Sequence, residues 1–243
     1  MAISKLRFNE VRKLDLKELT PSILRKLYID NEYSISDIAG LCNCSEQSIA
    51  YRLSRDNIPR RNSNIKLEPS ADIAYILGTC LGDGWVSKDG YKIELQVKSE
   101  IFMNKFKDSL NRIGLTAKTY YLDKGHYRTV SSSKIFTNWY NDLSYYNIRN
   151  IVVGYEKHFI QGMWDSEGSY NNGSICIYNT DVSLLELVKE LMIKLGIYCK
   201  INGPYVHKQG FSDNCELYHV RVMGGKRYRD VFFNLIDNDV KGM

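Results

Sequence analysis

The sequence predicts an α+β fold: one αββαββα unit used twice about a pseudo-two-fold axis, with a small all-α domain ahead of it. Three observations carry this expectation. The stretch Tyr75-Ile76-Leu77-Gly78-Thr79-Cys80-Leu81-Gly82-Asp83-Gly84 returns once, as His158-Phe159-Ile160-Gln161-Gly162-Met163-Trp164-Asp165-Ser166-Glu167-Gly168. Behind each copy the same order of alternating and helical apolar periods follows, and Leu184, Val188, Met192 and Leu195 keep one constant offset from Phe102, Phe106, Leu110 and Ile113. Ahead of both copies the spacing is helical only. Expected boundaries are therefore 1–66 for the helical domain and its linker, 67–155 for the first half and 156–243 for the second.

In the helical domain, Thr20 before Pro21 makes an N-cap with proline at the first helical position. Ser34 and Asp37 open a second helix through Ile35, Ile38, Ala39 and Leu41. Cys42-Asn43-Cys44 forms a turn, and Ser45 caps a third helix with Ile49, Ala50 and Leu53 inward. That helix presents Gln47, Ser48, Tyr51, Arg52 and Arg55 outward and stops before Pro59. Two short helices joined by a tight turn, the second carrying polar side chains, resemble the helix-turn-helix modules of site-specific recombinases and bacterial regulators. The resemblance makes Ser45–Arg55 the recognition helix, with Arg60 and Arg61 suited to phosphate or minor-groove contact.

Asn62–Pro69 is polar and aperiodic and reads as the linker. In Lys92–Lys98 the alternation is strict: Ile93, Leu95 and Val97 on one face, Lys92, Glu94, Gln96 and Lys98 on the other. A helix from Glu100, a hairpin turning at Asp123-Lys124-Gly125 and a helix from Ser133 complete the first half. Ser144–Glu156 reads as a short connector. The second half repeats the order with a strand at Ser174–Asn179, a helix from Asp181, and strands through Ile197–Val206 and Glu216–Val222. On those last strands Lys200, Asn202, His219 and Arg221 alternate with Ile201, Tyr218, Val220 and Val222.

The duplicated stretch carries the chemistry. Gly78 and Gly82, like Gly162 and Ser166, lie four residues apart and share a helix face, so two such helices can approach backbone to backbone. Packed as a pair they bring Asp83 beside Glu167, with Gly84 and Gly168 permitting a sharp exit of the chain. Two adjacent carboxylates repel unless a cation lies between them, and a hard divalent ion such as Mg²⁺ suits both oxygen ligands and phosphate chemistry. The two stretches resemble the LAGLIDADG signature of homing endonucleases, with Leu81 departing from the pattern where it has its first Asp. The resemblance implies a monomer whose sheets form a β-saddle on duplex DNA. It also implies metal held by Asp83 and Glu167 with the preceding Gly82 and Ser166, Mg²⁺ as cofactor with Mn²⁺ able to substitute, and hydrolysis of one phosphodiester per strand.

On that resemblance Lys98, Lys134 and Lys226 are the basic candidates for stabilising the transition state, Lys134 and Lys226 at equivalent helix starts. Thr180 or Asn179 replaces Lys98 in the second half, so unequal cutting of the two strands is expected. The alternatives are a splicing maturase acting on intron RNA and a regulator that binds DNA without cutting it. Composition narrows the field less. The net charge is +5, and residues 1–66 hold 12 Lys and Arg against 8 Asp and Glu, while the remainder holds 21 against 20. DNA binding by the larger part must therefore rest on segregated faces rather than bulk charge. Six scattered cysteines without zinc-finger spacing, a charged N-terminus and no long apolar run point to an intracellular protein, in cytoplasm, nucleoid or organelle matrix, with no membrane partner.

Overall fold

The computed structural model describes residues 16–31, 33–58, 65–206 and 216–241. The chain divides into two compact units, 1–63 and 64–243.

In the first unit, α1 (Pro21–Arg25) runs on into a π-helical turn (Lys26–Asp30) and is followed by α2 (Ile35–Leu41) and α3 (Glu46–Arg55). The caps read from sequence close these helices. The Thr20 hydroxyl accepts from the Ile23 N–H, Ser34 and Asp37 form a reciprocal capping box, and the Ser45 hydroxyl accepts from the Ser48 N–H. Each satisfies a donor that the first helical turn leaves without a partner. Leu19, Leu24, Leu27, Ile38, Ile49, Leu53 and Ile58 fill its core.

The second unit is organised around α4 (Ala71–Leu81) and α8 (Glu156–Glu167). After α4 come β1 (Gly84–Val86), β2 (Lys92–Val97), α5 (Glu100–Arg112), β3 (Lys118–Leu122), β4 (His126–Ser132) and α6 (Lys134–Asn141). After α8 the series returns as β5 (Gly168–Asn171), β6 (Ser174–Asn179), α9 (Val182–Lys194), β7 (Cys199–Val206), β8 (Glu216–Val222) and α10 (Lys226–Leu235). Each half makes a four-stranded antiparallel sheet of the same connectivity, β1-β2-β4-β3 and β5-β6-β8-β7. The duplication seen in the sequence is thus a duplication of topology. Ile93 and Leu95 in the first half, and Ile175 and Ile177 in the second, turn from the sheets into a core shared with α4, α5, α8 and α9. The other face of each sheet mixes polar and aromatic side chains, the alternate set that period two turns away from that core.

Two features add to what the sequence showed. The connector between the halves contains a helix, α7 (Tyr145–Ile151), opened by a reciprocal capping box between Ser144 and Asn147 and anchored by buried Ile148. Its brevity and polar surface hid the period. Gly84 and Gly168, expected to permit a sharp exit of the chain, do so without a positive φ, and Gly168 is extended at φ −72° and ψ 146°. What forbids a side chain there is space. A Cβ on Gly84 would lie 2.8 Å from Cys80 Cα, and one on Gly168 would lie 2.3 Å from Trp164 Cε3. Among the described residues no helix is long and apolar enough to cross a membrane.

Candidate active site

Helices α4 and α8 touch through their glycines. A Cβ on Gly78 would meet the Phe159 carbonyl oxygen at 2.3 Å and Gly162 Cα at 3.2 Å; one on Gly162 would meet the Tyr75 carbonyl oxygen at 2.4 Å. Lower down the pair, a Cβ on Gly82 would lie 2.4 Å from Ser166 Cβ and 3.2 Å from Glu167 Cγ. Small residues on one face thus bring the two helix ends together, and the acidic residue of each repeat with them. The ends differ: α4 stops at Leu81, so Asp83 stands one residue beyond the cap, whereas Glu167 is the last residue of α8.

The electrostatics follow from this placement. Burial and then the neighbouring Asp83 carboxylate push Glu167 up to about 7. Asp83 is open to solvent on one side, yet the protein behind it also raises its carboxyl. Both sit at helix C-terminal ends, where the backbone already presents partial negative charge. The pair therefore calls for a cation.

One cation from the chain itself is close by, and sequence reasoning missed it. The Lys241 Nζ donates to the Ser166 carbonyl oxygen at 2.8 Å. Its positive charge opposes the upward shift of both carboxylates. Conversely, burial lowers the ammonium, while Asp83, Asp165 and Glu167 act to hold its proton. Lys241 lies beyond the last helix, where no apolar period singled it out.

Asp165, next to the pair in sequence, serves packing. It is 1% exposed, accepts from the Tyr75 hydroxyl at 2.8 Å and from Gln161 Nε2 at 2.8 Å, and lies 3.7 Å from Lys105 Nζ. Burial raises its carboxyl to about 6. Leu81 occupies the matching place in the first repeat and packs against the core instead.

The three lysines expected at the chemistry make no hydrogen bond or ion pair to Asp83 or Glu167 among the described residues. Lys134 begins α6 and its Nζ donates to the Asp89 and Gly90 carbonyls at 3.3 and 3.4 Å, securing the β1–β2 turn. Lys98 is exposed just past β2, and Lys226 is exposed at the start of α10.

Strand register shows which side chains share the polar sheet faces, since directly paired residues point the same way. Lys92, Glu94 and Gln96 pair with Ser132, Val130 and Arg128. Glu94 also pairs with Trp85, and Arg128 with Tyr120. Trp85, Tyr120 and Arg128 thus join the face without having been picked out from sequence, although the alternation of Arg128 with buried Thr129 was visible. Arg128 forms a bidentate ion pair with Glu94 at 2.6 and 2.7 Å, so the two act together. On the second sheet, Lys200 and Arg221 pair with each other, Arg221 donates to the Ser174 hydroxyl at 2.8 Å, and Asn202 pairs with His219.

His219 requires a correction: expected to be exposed on this face, it is 8% exposed. Its ring stacks on Tyr205 at 5.3 Å and 7°, lies 5.0 Å from Tyr178, and its Nε2 contacts Asn202 Nδ2 at 3.4 Å. Aromatic neighbours on the adjacent strands cover it.

In the first unit, Gln47 and Tyr51 on α3 are exposed and Ser48 is half-buried. Arg55 is exposed and paired with Asp56. Arg52, expected to face outward, instead donates from Nη1 to the Leu19 carbonyl at 3.1 Å, so its guanidinium braces the helices. Arg60 and Arg61 lie outside the described residues.

A family profile described as a LAGLIDADG-like domain matches residues 70–144 and again residues 154–235. The chain belongs to the LAGLIDADG-like family. Its two family repeats are the two topologically equal halves, and the pair Asp83 and Glu167 closes the two signature stretches. A relative in Methanocaldococcus jannaschii, an uncharacterized protein, is 34% identical with 68% of this chain and 70% of the relative covered. A second uncharacterized protein from that organism is 29% identical, over 76% of this chain and 71% of its own length.

Among solved structures, a variant of the homing endonuclease I-DmoI matches with a TM-score of 0.53 at 23% identity, covering 70% of this chain and 97% of its own. I-DmoI in complex with DNA and Mn matches with the same score at 22% identity, covering 68% and 96%. The N-terminal LAGLIDADG domain of WhiA matches with a TM-score of 0.50 at 12% identity, covering 76% and 89%. At such identities these likenesses establish the fold alone.

The donor set of this LAGLIDADG pair fits a hard divalent ion. Two carboxylates, both destabilised as anions, and the Ser166 carbonyl all lie within reach of the one Lys241 ammonium. Mg²⁺ takes one or two carboxylates and keeps several waters. Among the described residues no group of three or more His, Cys, Asp and Glu residues is placed to hold a metal ion.

Proposed function

We propose that this protein is a site-specific endonuclease that cuts both strands of duplex DNA. The observation that carries the reading is the convergence of Asp83 and Glu167 at the ends of two helices in backbone contact, close enough that the Asp83 carboxylate helps to raise the Glu167 carboxyl. A protein that only bound DNA would gain from neutral residues there, since the repulsion costs stability and contributes nothing to sheet or core. A divalent metal held by Asp83 and Glu167, with the carbonyls of Gly82 and Ser166 as further oxygen ligands, would supply an activated water and neutralise charge on the scissile phosphate.

The chain's own residues do the rest. The glycine contact fixes the spacing of the two carboxylates, and the flanking sheets hold the duplex. Lys92, Gln96, Lys98, Lys118 and Arg128 on one sheet, and Lys200, Asn202 and Arg221 on the other, provide phosphate contacts and base-edge readers. Glu94 orients Arg128 through its bidentate pair, leaving that guanidinium a fixed fork for a base or a phosphate. Lys98, Lys134 and Lys226 remain the candidates for charge stabilisation at the phosphates. The N-terminal unit adds a helix-turn-helix contact, with Gln47, Ser48, Tyr51 and Arg55 on α3 and the following Arg60 and Arg61 extending the recognised sequence.

The test is selection of cleaved duplexes from a randomised pool with Mg²⁺ or Mn²⁺, repeated with Asp83→Asn and Glu167→Gln. Metal-dependent double-strand cleavage that either substitution abolishes, with DNA binding retained, is the expected result. Tight, sequence-specific binding without cutting in either metal would make the protein a regulator on this fold. Selective binding of a folded intron RNA in place of duplex DNA would make it a maturase.

A further inference from the structure

Beyond α10 the chain turns back along α8. Ile236 is 1% exposed in the core. The Asp237 N–H donates to Gln161 Oε1 at 2.8 Å while Gln161 Nε2 donates to the Asp237 carbonyl at 3.1 Å. The Asp237 carboxylate pairs with Lys105 at 2.6 Å. Three residues further along α8, Trp164 Nε1 donates to Asn238 Oδ1 at 3.2 Å. Val240 packs on the core, and Lys241 then reaches the Ser166 carbonyl. The anchors at Gln161, Trp164 and Ser166 progress toward the C-terminal end of α8. The segment is a strap laid along the helix that carries one acidic residue of the pair, and Lys241 on it presents an ammonium group.

We infer that Lys241 is the built-in counter-ion of the Asp83–Glu167 pair, and that its seat on the Ser166 carbonyl and occupation of the pair by a divalent metal exclude one another. The inference rests on the metal-binding role proposed above for the two carboxylates. Three physical points support it. The Ser166 carbonyl belongs to the residue immediately before Glu167, and a hydrogen bond from an ammonium occupies it. A lysine ammonium and a divalent cation a few ångströms apart repel, strongly so where surrounding protein excludes water. And the strap has anchors of its own at Gln161, Lys105 and Trp164, so the ammonium can leave without unravelling the segment that delivers it.

The chemistry has a direct consequence. Without metal, the ammonium offsets the repulsion of two carboxylates at two helix C-termini and keeps α4 and α8 closed on one another. With metal, the ammonium is displaced and the same electrostatic work is done by the ion. Metal affinity is then the intrinsic affinity of the carboxylates reduced by the stability of the Lys241 seat. A charge-assisted hydrogen bond of this kind is sufficient to weaken metal binding about tenfold.

The experiment is calorimetric titration of the full chain with Mn²⁺ in the absence of DNA, for the wild type, Lys241→Met and Lys241→Arg. Thermal melting of each in EDTA and in excess Mn²⁺ accompanies it. Lys241→Met is expected to bind Mn²⁺ about tenfold more tightly and to melt lower in EDTA, so that its metal-induced rise in Tm is larger. Lys241→Arg is expected to stay near wild type in both. Asn238→Ala, which frees the middle of the strap and leaves the ammonium intact, is expected to shift affinity in the same direction by less. Equal Mn²⁺ affinity for wild type and Lys241→Met, or weaker binding by Lys241→Met, would overturn the inference and leave the metal reading standing. Absence of Mn²⁺ binding to every variant would overturn the metal reading and this inference with it.

Discussion

The most demanding test of the architecture is a single methyl group at the helix contact, Gly78→Ala. By intrinsic preference the change should help: alanine is favoured over glycine in a helix interior by about 1 kcal/mol. The structure says it does harm. The added Cβ would lie 2.3 Å from the Phe159 carbonyl oxygen, 3.0 Å from the Met163 nitrogen and 3.2 Å from Gly162 Cα. All three atoms are backbone of α8, so no rotamer change relieves the contact and the helices must part by about 1 Å. Overpacking a well-filled core costs about 1–3 kcal/mol, and more when the backbone itself must shift. Loss of close packing along the rest of the interface adds to that. A net loss of about 3 kcal/mol is expected, after the helical gain is subtracted.

For a unit of this size each kcal/mol moves Tm by about 2–4 °C, so a fall of roughly 6–12 °C should be seen by circular dichroism. Gly40→Ala provides the control. Gly40 lies inside α2, a Cβ there meets nothing within 4 Å, and the same substitution should stabilise the N-terminal unit by about 0.5–1 kcal/mol. A Gly78→Ala protein melting within 2 °C of wild type, or above it, would refute the claim that the two repeats meet backbone to backbone.

Three further outcomes are expected. Asp83→Asn or Glu167→Gln should remove metal-dependent strand cleavage while gel-shift affinity for a selected duplex survives; cleavage at wild-type rate by either variant would remove its assigned role. Glu167 has its folded-state pKa raised from 4.5 to about 7, so the protonated form is favoured by folding. That contribution is fully present below about 4.5 and is lost as pH rises through about 7. In EDTA, Glu167→Gln should therefore be more stable than wild type at pH 8 by about 1–2 kcal/mol, solvent screening included, with the gap closing by pH 5. A gap independent of pH would contradict the burial and repulsion assigned to the pair. Removal of residues 1–66 should weaken DNA binding and broaden the set of cleaved sites while metal-dependent cutting persists; loss of all cutting by a truncated protein that melts cooperatively would contradict the division of roles.

What could be read from the sequence was local or repeated. The caps at Thr20, Ser34 and Ser45 are hydrogen-bonded pairs within three residues of each other, and each forms as read. The alternation of Lys92–Val97 gives one strand with one buried face, and the buried Ile93, Leu95 and Val97 are those the pattern assigns. The glycines at Gly78 and Gly162 were legible because duplication showed that both belong to one kind of contact. What escaped depends on residues far apart in the chain meeting in space. His219 is covered by Tyr205 and Tyr178 from neighbouring strands, and Arg52 turns inward because the Leu19 carbonyl lies within its reach. Lys241 reaches the carboxylates only because a strap of several anchors brings it there. Gly84 and Gly168 were assigned the correct residue type for a different reason, since what excludes a side chain is Cys80 and Trp164 rather than backbone dihedral.

The two halves share connectivity and part company in chemistry, and this bears on the target. At equivalent register the first sheet presents Gln96 paired with Arg128, where the second presents Tyr178 paired with His219. Trp85 on β1 corresponds to Ser169 on β5, each pairing with the matching position of the next strand, Glu94 in one sheet and Cys176 in the other. A cationic fork able to grip guanine or phosphate on one side thus faces a covered imidazole within an aromatic stack on the other. A two-fold symmetric duplex would offer identical groups to both faces and satisfy only one of them. The scaffold preserves the symmetry needed to set two carboxylates side by side. The faces have given it up, and under the proposed function they would read two unlike half-sites.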